Sequence, residues 1–129
     1  MAKGWSIDPS DFMEVVEKDL TELQREIATT ALQAIISGSP VDEGTYKGNH
    51  RVTVDEQTLL FDSERDDPIG TETLLEGATT IATVTGPYHN IVIQNNAPYG
   101  ERLENGHSQQ APIGVYGVAF GDVVEKYGR

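Results

Sequence analysis

Residues 9–37, PSDFMEVVEKDLTELQREIATTALQAIIS, carry the strongest periodicity in the chain. Phe12, Val16, Leu20, Leu23, Ile27, Ala31 and Ile35 recur at steps of three and four, which is the spacing of one face of an α-helix. Glu14, Lys18, Glu22, Arg25 and Glu26 belong to the opposite face, and Glu14 precedes Lys18 in the favourable i,i+4 order. Asp8 suits the N-cap, Pro9 the first helical position, and Asp11 sets negative charge on the first-turn dipole. At the other end Gly38 stands where a left-handed residue commonly closes a helix, and Pro40 forbids continuation. Residues 1–8 read as a short arm.

Working outward from this helix, residues 39–50 are rich in turn formers and lead into Arg51-Val52-Thr53-Val54, whose alternation predicts a strand. Thr58 to Phe61 predicts a second one. The acidic, proline-containing stretch from Asp62 to Gly70 is then a loop. Thr71 to Val84 regains helical spacing through Leu74 or Leu75, Ala78, Ile81 and Ala82, with Thr71 as N-cap, although its threonines weaken the propensity. Gly86-Pro87 ends that helix. Asn90 to Gln94 is a compact apolar run between turn signals and predicts a central strand. Pro98 opens a short helix through Leu103, stopped by Asn105-Gly106, and the tail from Val115 reads as a strand followed by a helix.

With 129 residues the chain fits a single domain, 1–129, with 118–129 as a C-terminal extension. It has no cysteine, so neither disulfides nor thiolates contribute. The Met-Ala-Lys-Gly-Trp-Ser start lacks the apolar run of a signal peptide, and no stretch has the length of a membrane span, so a cytoplasmically made protein with no membrane partner is expected. The 21 acidic against 9 basic residues give a formal charge of −12. That balance opposes adhesion to nucleic acid or anionic lipid, whose affinity rests on Lys and Arg displacing counterions. The acids concentrate between Asp55 and Glu76, where Arg65 is the lone base.

The residues that could carry chemistry form no recognisable catalytic pattern. His50, His89 and His107 lie at no i,i+4 spacing from one another and belong to no H-E-x-x-H, so metal and cofactor sites are not expected. Ser108 beside His107 lacks the G-x-S-x-G setting of a nucleophile, and Glu101 with Glu104 reads as a surface pair on a short helix. A small hydrolase using Glu104, His107 and Ser108 is nevertheless the competing class, and a monomeric binding module is a third. The glycines punctuate turns and form no phosphate-binding loop.

Two segments carry a family resemblance. Ser39-Pro40-Val41-Asp42-x-Gly44-x-Tyr46-Lys47-Gly48-Asn49 resembles a signature of the neck and tail-completion proteins of long-tailed bacteriophages. The segment from Asn95 to Gly114 is similar to that family's second signature at Asn95 or Asn96, Pro98, Tyr99, Leu103, Glu104, Gly106, Ser108, Gln110, Ala111, Pro112 and Gly114. Glu43, His50 and Gly100 depart from the usual Thr, aromatic and Ala.

The resemblance implies an α+β domain in which the long N-terminal helix packs on a mainly antiparallel sheet, with one or two shorter helices. It implies a virion structural protein without catalysis or cofactor. Such a protein is assembled in the host bacterial cytoplasm into a homo-oligomeric ring, commonly a hexamer, at the head-to-tail junction. A tail terminator capping the tube is the nearest alternative role. Partners would be other copies and other phage neck and tail proteins, with DNA only passing through. On this reading Ser39, Pro40, Asp42, Gly44 and Gly48 shape a signature turn. Pro98, Tyr99, Arg102, Glu104, His107, Ser108, Gln110 and Pro112 make the subunit contact, the prolines pre-ordering it and Tyr99 anchoring it. Asp62, Glu64, Asp66 and Asp67 would line the channel and repel passing phosphates.

Overall fold

The computed structural model describes residues 9–40, 44–105 and 114–128, with the backbone alone at Phe12. The expectations for the arm at residues 1–8, for Asp42 and for His107, Ser108, Gln110 and Pro112 lie outside the described residues. The chain runs α1 (Pro9–Gly38), α2 (Gly44–Lys47), β1 (His50–Val54), α3 (Thr71–Ala82), β2 (Ile91–Asn95), α4 (Gly100–Glu104) and α5 (Tyr116–Tyr127). This is an α+β fold with a long N-terminal helix, an antiparallel sheet of two strands, and four shorter helices among the described residues.

β1 and β2 pair from His50 opposite Asn95 to Val54 opposite Ile91. Because strand side chains alternate, His50, Val52 and Val54 share one face with Asn95, Ile93 and Ile91. That face receives α1 and α3. Ala28, Leu32, Ile36 and Ile81 form one buried cluster against Val52, Ile91 and Ile93. A second cluster joins Ile35 of α1 to Tyr46, Ala97, Leu103, Val115 and Ala119, so α2, α4 and α5 close the other end of the core. Gly77 is where α3 comes closest: a Cβ there would meet Val52 Cγ2 at 2.9 Å and collide with Leu32.

Several expected details are replaced by others with clear causes. Thr58 to Phe61 is not a strand, because its backbone is held by side chains: Gln94 Nε2 and Asn96 Nδ2 each donate to the Thr58 carbonyl at 2.9 Å, and Thr58 N–H donates to Gln94 Oε1 at 3.0 Å. Val115 opens no strand, since α5 starts at the next residue, Tyr116. Gly38 is the last residue of α1 rather than a left-handed closure, and Ser39 ends the helix by donating its hydroxyl to the Ile35 carbonyl at 2.8 Å. Gly70, not Thr71, occupies the N-cap of α3 with φ 85°.

The apolar stripe read along α1 meets the core only at its end. Ile35 is 4% exposed, whereas Leu20 and Leu23 are 47% and 45% exposed; the buried positions are Thr21, Ala28, Leu32, Ile35 and Ile36. Facing is the cause: the buried Thr21, Ala28 and Leu32 share one side of the helix, and Leu20 and Leu23 lie off it.

Candidate functional site

The two signature segments, separated by some fifty positions, meet at a buried polar network around His50. Ser39 Oγ donates to the Ile35 carbonyl and is therefore free to accept from His50 Nε2 at 2.8 Å. This fixes the proton on Nε2 and leaves Nδ1 to accept from the Tyr116 hydroxyl at 2.8 Å and from Asn95 Nδ2 at 3.3 Å. Asn95 also donates to the Tyr46 carbonyl at 2.8 Å, and the Tyr46 ring stands edge-on to His50 with centroids 4.9 Å apart.

Burial, aided by the Lys47 charge, pulls the His50 pKa down to about 3, so the imidazole stays neutral. Burial and the nearby Glu104 also push the Tyr46 hydroxyl up, and burial with Tyr46 does the same for Tyr116. A serine whose proton is committed to a carbonyl, beside a histidine closed off from water, holds a shape and presents no nucleophile.

Asn49 is the second node. It is fully buried, and its amide donates to the carbonyls of Thr45 and Asp62 at 2.7 and 2.9 Å while its oxygen accepts from Asp62 N–H at 2.8 Å. The first signature thereby fastens the acidic loop. Gly44 and Gly48 are both buried beneath that loop, and a side chain at Gly44 would collide with the Asp66 carboxylate. Pro40 is fully buried beside Ser39.

Glu104 is also bonded within the chain. Its carboxylate accepts the backbone N–H groups of Val115, Tyr116 and Gly117 at 3.1, 2.8 and 2.7 Å, capping α5. Burial opposes its ionisation, but those three donors outweigh it and hold the carboxyl below its usual range. With its acceptor positions so engaged, Glu104 joins the middle of the second signature to α5. Tyr99 is half-buried, packs on the Ile35 cluster and lies 6.3 Å from the Tyr46 ring, while Pro98 and Arg102 are exposed.

The four acids expected to line a channel divide. Asp62, Glu64 and Asp66 are exposed, but Asp67 is 7% exposed and serves α3: it accepts from Thr73 N–H at 2.9 Å and Thr73 Oγ1 at 2.7 Å. Burial raises its pKa, yet the Thr73 and Gly70 donors and the Arg65 charge carry the net shift downward. Asp67 is thus the cap that Gly70, lacking a side chain, cannot provide. Arg65 ties the loop to α3 through Glu76 at 3.0 Å and Glu72 at 4.0 Å.

Among the described residues no group of three or more His, Asp or Glu could hold a metal ion, and no helix is long and apolar enough to cross a membrane. Compared with protein-family models, curated proteins and solved structures, the chain matches none.

Proposed function

We propose that this chain is a virion structural protein, a ring-forming subunit at the head-to-tail junction of a long-tailed bacteriophage that acts by assembly. Two ordered sequence signatures support the reading. The surface offers material for such contacts: Leu59, Ile69, Phe120 and Leu75 are 92%, 80%, 70% and 67% exposed. The observation that carries most weight is the pinning of that surface. Leu59 and Leu60 project from a segment whose backbone is gripped by Gln94 and Asn96, so they are presented in one fixed geometry. Head-to-tail ring closure requires such repeatable, pre-ordered contacts.

In the assembled ring the exposed Asp62, Glu64 and Asp66 would repel phosphate and let DNA pass without sticking. Native mass spectrometry of the purified chain tests the proposal. A closed homo-oligomer, lost in a Leu59→Asp/Phe120→Asp variant that keeps its melting temperature, is the expected result. A monomer at every concentration would instead favour a free binding module.

A further inference from the structure

Met13, Val16, Leu20, Leu23 and Ile27 are spaced 3-4-3-4, the a and d positions of a heptad, in the N-terminal part of α1. Met13, Leu20 and Leu23 are 51%, 47% and 45% exposed, and Val16 and Ile27 are half-buried. The seam is bounded on both sides. Tyr127, the last residue of α5, donates to Glu26 at 2.7 Å and meets Thr30 at 3.2 Å, so cover from α5 ends there. On the other flank the connection between α3 and β2 leans on α1 through Gln24 to the His89 carbonyl, Arg25 to the Val84 carbonyl, and Tyr88 to Glu17.

The flanking charges say what fits between them. With Met13, Leu20 and Ile27 at a, the e positions are Glu17 and Gln24 and the g positions Asp19 and Glu26, acidic or neutral throughout. Glu17 and Glu26 accept hydrogen bonds from neutral tyrosine hydroxyls, which bring no positive charge to them. Lys18 and Arg25 fall at f, on the far side of the helix. A second copy laid antiparallel would set Asp19 against Glu26, and one laid parallel would set Asp19 against Gln24, so in neither direction does it offer these acids a base.

We infer that the N-terminal half of α1 is a docking seam for one helix of a different protein, apolar at its a and d positions and carrying Lys or Arg at e and g. The inference does not depend on ring closure. The contact would zip two heptads, with the leucines supplying affinity and the charges selecting partner and orientation.

The test titrates the full chain with two synthetic helical peptides of identical apolar a and d residues, one with Lys and one with Glu at e and g. The Lys peptide is expected to bind at least about tenfold more tightly, a difference of about 1.4 kcal/mol, and to weaken as salt is raised. A Leu20→Asp/Leu23→Asp variant should abolish binding. A Glu17→Lys/Asp19→Lys/Glu26→Lys variant should reverse the preference, and it serves even where the aspartates disturb folding. Equal binding of the two peptides, no binding of either, or loss of self-association in the leucine variant would overturn the inference, the last by showing that a second copy covers the seam.

Discussion

His50 holds the centre of the molecule in one protonation state, and that makes a stability measurement decisive at the level of a single residue. Folding lowers its pKa from 6.5 to about 3, so the unfolded chain takes up this proton first as pH falls. Its contribution is full above 6.5 and is lost as pH drops toward 3. The carboxyls of Glu104 and Asp67 are also held below their ordinary 4.5 and 3.8, so what they contribute disappears only in more acidic solution. Urea unfolding should therefore show stability declining between pH 6.5 and 4.5 in the native chain and a flatter profile in His50→Gln. An unchanged slope would contradict the buried, neutral imidazole. Glu104→Ala, which strips three donors at the start of α5 of their acceptor, should cost about 1–3 kcal/mol in the same assay at neutral pH. Neither role was legible in the sequence. His50 stood out only as a departure from a signature, and Glu104 looked like a surface acid because its acceptance of backbone N–H groups depends on where α5 begins.

At the scale of elements, the helix from Pro9, the strand after His50 and the strand near Asn90 were legible because each writes its own period into the chain. Thr58 to Phe61 has the composition of a strand, but two side-chain amides took the hydrogen bonds that a neighbouring strand would have taken. The α1 stripe was legible as a period, but the side that α1 buries runs through Thr21, Ala28 and Leu32, whose polar and small residues write no apolar signal. Gly77 marks the closest packing between elements. Gly77→Ala should destabilise by about 1–3 kcal/mol through contact with Leu32 and Val52, against the roughly 1 kcal/mol that alanine gains in a solvated helix, with a lowered thermal midpoint as the readout. A rise in that midpoint would mean that α3 stands off from the sheet. Asn49→Ala should cost about 2–4 kcal/mol and release the acidic loop, seen as faster amide exchange from Asp62 to Gly70.

For the whole molecule, the signatures prove to be largely instructions for folding: Ser39, Asn49, Asn95 and Glu104 tie α1, the acidic loop, β2 and α5 to one another. On the proposed function assembly would fall to the apolar residues left outside, which composition alone could not single out. Charge then gives the two kinds of contact opposite responses. Subunits of −12 repel, so salt should strengthen ring formation by screening, while docking of a basic helix on α1 should weaken. On the proposed function the subunit has one position in a particle. The most direct test is an electron micrograph of virions made from the genome that encodes this chain, with the subunit tagged at its C-terminus. A single collar of label between head and tail is the predicted result, and complete virions without label there would contradict the account.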